Sequence, residues 1–548
     1  MATFFPHLTA TGPAPPAREV AAVYQREFYK RVAEGSLRPI VLPYHLYGLF
    51  LLVVYLLIPH TKRPWLYKAR WLVLGVITAF QWKTLGEVSS ASLATSFAAG
   101  LVSAWGVVES AMWLVFYRPQ FDSKRVQPRV KSGGGVGNNE EDNSPHNADH
   151  ASCQLGERPA NGHANGKAQE GSHSVVREHG SAVDDGTSSM EYYWQPYPKT
   201  LGERIPWILD HTINFRGPGW NWAVPSLPPF PPAVKRGLGE ASSIQPRSRI
   251  SKFGLKRFDT RRELFWGVFP KFVLGYFLLD VMKTFMVKDP YFIFGPTTYA
   301  LPSYLQGVSP IAVYCVRQII TFVAVILALD MVFMLGPIVC GLLLGPKVLG
   351  LRGEPWQYPT TFGPFANVLY RGLGGLWGGY WHQSFRFAFS APTNYLLRSG
   401  YIEPRSWTAA LVGLIFAFGV SGFLHAWGSI TQLPHTYPWH MPLFFMLQIP
   451  GIIIQSSVSS HFKSKIEKLP MFVRMAGNLA FAALWLLSTS WLLTDDFARG
   501  GIWLVEPVPI SPMRGLGFGD EGDGWWCWGD GGVGWYTGKH WWESGIAL

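Results

Sequence analysis

The chain has 548 residues and a formal charge of +12, yet only 15% of it is charged, 48% is hydrophobic and 15% is aromatic, with 25 tryptophans. So few charges over such a length exclude a soluble multidomain protein, and the indole-rich composition suits a chain that crosses the membrane–water interface repeatedly. The basic residues sit in loops between apolar runs, as loops facing anionic lipid do, which argues against a nucleic-acid partner.

The N-terminal arm, 1–38, has no basic stretch leading into an apolar core, so no cleaved signal peptide is expected. A spanning helix takes roughly 20 mostly apolar residues. Runs of that kind fall at 39–58, 71–85 and 93–116, which make an N-terminal membrane part, 39–117. A polar loop follows at 118–262. Its middle, 132–190, is rich in Gly, Ser, Asn, His and acidic residues. It buries too little apolar surface to offset the entropy of ordering, so disorder is expected there. Residues 192–222 regain aromatics and proline and are expected to be ordered at the membrane surface. A second membrane domain, 263–494, carries runs at 264–287, 311–344, 407–426, 441–457 and 472–493. The run 311–344 holds Asp330 and Pro337 and is too long for one upright helix, so a tilted span followed by a broken piece is expected. The tail, 495–548, is rich in Gly and Trp and reads as an interfacial cap. The expected fold class is all-α, a multi-pass transmembrane helical bundle of about eight spans.

Lys and Arg are dense in 60–70, 118–262, 347–405 and 463–468 and sparse in 83–92, 288–310 and 431–440. These two sets alternate along eight spans, which puts the basic set in the cytosol and both termini in the lumen. Against this, the N-terminal arm holds Arg18, Arg26, Lys30, Arg31 and Arg38.

Ionisable groups inside apolar runs are costly and call for a reason. His425 ends the run LVGLIFAFGVSGFLHAWG, where a neutral imidazole is able to take a proton from a hydroxyl. The plainer reading is a histidine bonded to the next helix. His382 lies in LGGLWGGYWHQSFRFAF. At helical spacing Trp377, Trp381 and Phe385 share one face, and His382, Gln383 and Arg386 form a polar stripe, the pattern of an interfacial amphipathic helix. In ERIPWILDHTINFRGPGWNW, Arg204, Asp210 and Arg216 suit a salt-linked surface cluster. Asp280 is expected to pair with Lys283, three residues on. Cys153, Cys315, Cys340 and Cys527 form neither a disulfide framework nor a metal site, and no phosphate loop, HExxH, CxxC or GxSxG motif is present.

The stretch Tyr358-Pro359-Thr360-Thr361-Phe362-Gly363, followed by Leu376-Trp377-Gly378-Gly379-Tyr380-Trp381-His382-Gln383, resembles the signature of the wax-synthase-like branch of the membrane-bound O-acyltransferases. Ser421-Gly422-Phe423-Leu424-His425 resembles that family's second, helix-borne histidine motif. Arg204-x-x-Trp207, Arg216-Gly-x-Gly-Trp220 and the tail RGGIWLVEPVPISPMRGLGFG are similar to fungal members. The chain departs from the pattern at Gly379-Tyr380, where the family has a basic pair; Lys347, Arg352, Arg371 and Arg386 are the cations that could stand in.

The resemblance implies a helical bundle with a tunnel, His425 as general base and His382 as a second polar group of the reaction chamber. It also implies Trp377, Trp381, Gln383, Arg386 and Arg371 as contacts for substrate or CoA. Acyl-CoA, by analogy acetyl-CoA, is the expected cosubstrate, a lipophilic alcohol such as a terpenoid the acceptor, and the endoplasmic reticulum membrane the setting. No bound cofactor or metal is expected. The competing expectations are a wax ester synthase acting on fatty alcohols, a transporter built around Asp280, Asp330 and Pro337, and a non-catalytic scaffold. A transporter of that kind would show inverted repeats, and none is visible.

Overall fold

The computed structural model describes residues 14–130, 190–239, 248–528 and 533–548. In chain order its main helices are α1 (Ala17–Ala33), α2 (Tyr47–Leu57), α3 (Arg70–Leu85), α4 (Leu93–Phe116), α5 (Leu201–Thr212), α6 (Arg261–Met286), α7 (Pro310–Gly336), α8 (Ala366–Gly375), α9 (Arg386–Arg398), α10 (Trp407–Ile430), α11 (His440–His461), α12 (Met471–Thr489) and α13 (Trp491–Arg499). Among the described residues, six are long and apolar enough to cross a bilayer: α4, α6, the run Pro310–Gly353 that begins as α7, α10, α11 and α12. This is an integral membrane protein built as a multi-pass helical bundle.

Two of the eight expected spans fall outside these six. The first shrinks to α2, of 11 residues, because Arg38–Pro39 and Val41–Leu42 are extended and Pro39 and Pro43 have no N–H to give a helix. The second is α3, of 16 residues. Both pack into one core through Leu52, Tyr55, Leu56 and Ile77. The long helices start where the sequence provides caps. Thr260 caps α6 by accepting the Glu263 N–H, and the Glu263 carboxylate reaches back to accept the N–H of Asp259, one residue before the cap. Ser309 and Ser406 cap α7 and α10. The run begun by α7 widens into π geometry at Pro337–Leu344, where proline cannot donate to the preceding turn, and it turns at Gly345 with φ +66°.

Three small sheets accompany the helices. Strands β1 (Arg38–Pro39) and β3 (Val88–Ser89) are parallel, β2 (Val41–Leu42) joins the tail strands β6 (Gly534–Tyr536) and β7 (Gly545–Ala547), and β4 (Arg125–Val130) pairs antiparallel with β5 (Met190–Gln195). The stretch expected to be disordered, 132–190, lies outside the described residues except for Met190.

The bundle has two distinct ends. At one, α1 packs on Leu93, Ile293, Phe294, Tyr299, Leu433 and Leu504, and Ser89 and Ser90 bond to Thr431 and to Leu548. This end gathers the loops poor in Lys and Arg together with both terminal segments. At the other, Gln120 ties the 118–262 segment to Leu56 and Ile58, and Arg216 ties it to Pro359 and Thr360. This end gathers the basic loops.

Two expected ion-pair groupings are corrected. Asp280 does not pair with Lys283: its carboxylate accepts the Met513 N–H, while Lys283 bonds to the Trp503 carbonyl and pairs with Glu506. Both therefore clamp the tail to α6, because those partners reach groups that would otherwise be buried unpaired. Arg204, Asp210 and Arg216 do not cluster either. Asp210 pairs with Arg125 and Arg352, Arg204 donates to the Leu57 carbonyl, and Arg216 turns inward. In the tail, Trp525, Trp526, Trp535 and Trp541 are exposed, an aromatic surface at the end that carries the terminal segments.

Candidate active site

Helix α10 brings His425 into the middle of the bundle. Glycines let its neighbours close on it: a Cβ on Gly422 would stand 2.6 Å from Pro442 Cα, and one on Gly428 2.7 Å from the Phe97 ring. Close backbone approach of this kind replaces side-chain bulk in helix packing. His425 Nδ1 lies 2.8 Å from the Ser421 carbonyl oxygen. A carbonyl only accepts, so Nδ1 carries the hydrogen and Nε2 presents its lone pair. The imidazole sits deep in the bundle and is partly buried, so part of the ring is left without packed neighbours. Phe445 lies 4.7 Å and Phe97 6.3 Å from it, ring to ring.

His382 does not sit on the expected amphipathic helix. Leu376–Tyr380 is a π turn, Trp381 is extended at φ −59° and ψ 148°, and α9 begins only at Arg386. Gly378 and Gly379 hold a helix weakly. The Gln383 side chain then donates to the Trp377 and Trp381 carbonyls at 3.1 and 2.7 Å, taking bonds that a continuing helix would give to backbone N–H groups. The turn points His382 inward, against Phe333 at 5.3 Å, Phe362 at 5.8 Å and Phe385 at 5.6 Å. Its Nδ1 is sealed in without a partner.

A run of touching rings joins the two histidines. His382 packs on Trp381 (5.3 Å), Trp381 on Trp377 (5.5 Å), Trp377 on Phe445 (6.2 Å), and Phe445 on His425. The imidazoles thus share one aromatic-walled chamber. Burial first, then the nearby His425 and Arg216, brings the His382 pKa down to about 3, so His382 is neutral at physiological pH.

Residues 358–447 match the model of the membrane bound O-acyl transferase family, a stretch that holds both histidines and most of the ring wall. Over that stretch the chain is similar to that family. Its acyltransferase relatives include the acetyltransferase spyB of Aspergillus fumigatus, 35% identical over 19% of this chain and 18% of that one. The O-mevalon transferase yanI of Aspergillus niger is 24% identical over 46% of this chain and 53% of that one. The acetyltransferase pyr8 of Aspergillus fumigatus is 26% identical over 26% of this chain and 34% of that one. The chain spans about half the length, or less, of these curated relatives. No solved structure matches it.

The remaining sequence-picked residues divide by what they touch. Trp377 and Trp381 line the chamber, and the Trp377 indole donates to Gln448 at 3.3 Å. Gln383 is buried, and its oxygen accepts from Arg386 at 2.8 Å, so its bonds are spent holding the turn. Arg386 lies over the Phe253 ring with Arg371, which is exposed at the basic end, close enough to disfavour its charge. At the family departure, Gly363 accepts no side chain, because a Cβ would stand 2.0 Å from the Gly379 oxygen, while Tyr380 packs on Phe362 and Phe365. Arg352, a possible stand-in cation, is engaged with Asp210.

Arg216 belongs to the site although its spacing suggested a surface cluster. It donates to the Pro359 and Thr360 carbonyls, both at 2.8 Å, and so fixes the strip that carries Phe362 onto His382. Phe97, Phe333 and Phe445 also went unnoticed as site residues. A lone Phe in an apolar run carries no signal of which side faces a cavity.

Proposed function

We propose that this protein transfers an acyl group, by preference acetyl, from acyl-CoA to a hydroxyl of a lipophilic acceptor such as a terpenoid or another secondary metabolite. The observation that carries this reading is the free Nε2 of His425, its tautomer set by Ser421, on an aromatic wall that runs on to His382. The relatives named acetyltransferase support the acetyl preference by analogy.

In this reading His425 Nε2 takes the proton of the acceptor O–H as the oxygen forms a bond to the thioester carbon. The carbonyl oxygen gains negative charge, and neutral His382 or a backbone N–H donates to it. The C–S bond then breaks, the proton passes from His425 to the CoA sulfur, and ester and free thiol leave. His425 ends neutral, and no acyl-enzyme forms. Acyl-CoA enters from the basic end, taken as cytosolic, where Arg371 and Arg386 meet its phosphates. The acceptor arrives from the bilayer, in the endoplasmic reticulum, between the aromatic walls.

The test uses the full chain in detergent with labelled acyl-CoAs of several lengths and a panel of lipophilic alcohols. His425→Ala is expected to lower kcat by about 100-fold or more. Undiminished turnover removes His425 from the base role. Absence of ester from every acyl-CoA and alcohol removes the reading itself.

A further inference from the structure

The chamber holds polar groups that the transfer reaction does not use. Asp330 and Phe333 are three apart on α7 and so lie side by side on one face. Phe333 touches His382 at 5.3 Å. Flanking them, Met331 and Met334 are buried with Phe258, Leu264 and Val268 against α6, while Val332 and Leu335 on the opposite side are exposed, where lipid would lie. Asp330, between Phe333 and Met334 around the helix, is partly buried, with part of its surface free of packed side chains.

A carboxylate at that depth is costly unless something bonds to it. Among the described residues Asp330 has no hydrogen bond and no ion pair; Lys271 of α6 is within electrostatic reach without forming a pair. Tyr380, on the π turn leading to His382, also feels the carboxylate. Among the described residues its hydroxyl has no partner either. With the buried, unpartnered Nδ1 of His382 this makes three polar groups that lack a hydrogen-bond partner among the described residues, beside the Phe333–Phe362 ring wall. The Gly379-Tyr380 departure from the family pattern is what places the phenol there.

We infer that Asp330 and Tyr380 form a subsite for a second hydroxyl of the acceptor, so that the preferred substrate is an apolar molecule with at least two hydroxyls. This rests on the acyl-transfer reading and narrows it. A simple fatty alcohol spends its one hydroxyl at His425 and leaves Asp330 unpaired, whereas a diol satisfies both. The Asp330 carboxylate accepts from the second hydroxyl, and Tyr380 donates to it.

The experiment compares a lipophilic diol with the mono-ol that lacks the second hydroxyl, in wild type, Asp330→Leu and Asp330→Asn. Wild type is expected to favour the diol in kcat/KM by at least about 10-fold, because a site built for a hydroxyl rejects the analogue without it. Asp330→Leu should abolish that preference by raising the KM for the diol while mono-ol turnover persists, and Asp330→Asn should fall between. Equal use of both alcohols by wild type, or an unchanged preference in Asp330→Leu, overturns the inference. If Asp330→Leu does not fold, Asp330→Asn decides alone. Diol-induced thermal stabilisation that depends on Asp330 supports the subsite even if no ester forms, so its failure is separable from failure of the transfer reading. A proton leak in proteoliposomes that requires Asp330, with no diol preference, assigns the carboxylate to a proton path and overturns the subsite.

Discussion

Gly100→Ala tests whether the approach of α4 to α10 sets the position of His425. A Cβ at Gly100 would stand 2.0 Å from the Trp427 carbonyl oxygen, 2.4 Å from its carbon and 2.7 Å from Gly428 Cα. All three are backbone atoms, so no rotamer change relieves the contact. Ordinary contact begins near 3.4 Å, so the helices must part by about 1.4 Å along that line. Overpacking of this kind costs about 1–3 kcal/mol, and alanine returns about 1 kcal/mol of helix propensity, so the fold should survive with a small loss. Catalysis should fare worse. Trp427 follows His425 by two residues on the same helix, so the imidazole moves with it. A misplacement of about 1 Å costs on the order of 100-fold, about 2.7 kcal/mol in the barrier. The assay pairs the unfolding temperature in detergent with kcat for ester formation, using His425→Ala as the floor. Gly75→Ala is the control, because on α3 a Cβ there meets nothing within 4 Å. The reasoning is refuted if Gly100→Ala keeps the wild-type kcat, or if Gly75→Ala loses as much.

Acid should destabilise the protein through two histidines outside the spans. Burial holds His211, stacked on Trp207, and His382 at about 3, below the unfolded value of 6.5. The fold favours their neutral forms, so their contribution is complete above pH 6.5 and is lost as pH falls from there toward 3, by about 2 kcal/mol for the pair between pH 6.5 and 5.5. Unfolding in denaturant at a series of pH values measures this, and His211→Phe should remove about 1 kcal/mol of the loss between pH 6.5 and 5.5. Arg216→Met should cost about 3 kcal/mol or more by leaving two carbonyls without charged donors. Because a nearby cation disfavours protonation of His382, its loss should also move the acid limb of the kcat/KM profile upward, while Arg216→Lys keeps that limb in place; identical profiles for the two variants would reduce Arg216 to a structural tie.

Span length was the readable part of the fold, because a bilayer demands a long apolar window and such windows survive local irregularity. It failed at 39–58, where two prolines give up the first turns to two-residue strands. Those strands left no trace in the sequence, since β2 finds β7 at Ile546 and Ala547, at the far end of the chain. The same distance misled the ion pairs. Helical spacing made Lys283 a suitable partner for Asp280, yet Glu506 and Met513 arrive from the tail and take both. His425 was legible because an imidazole at the end of an apolar run is conspicuous. His382 was legible as a residue, but its backbone was not. Trp377, Trp381 and Phe385 are spaced as on a helix, and only the bonds from Gln383 to the Trp377 and Trp381 carbonyls reveal the turn.

The match to the family ends where the chamber's own character begins. Residues 358–447 contain both imidazoles, Trp377, Trp381, Tyr380 and Phe445. Phe97 comes from α4, Asp330 and Phe333 from α7, and Arg216 from the turn after α5, all outside that stretch. The two histidines are therefore carried by the segment that matches the family model. Asp330, one half of the proposed acceptor subsite, is brought by a helix that the match does not cover, while Tyr380, the other half, lies within it. A relative's acceptor transfers poorly to this chain for that reason, and Asp330, rather than either histidine, is the residue at which the acceptor is most directly questioned.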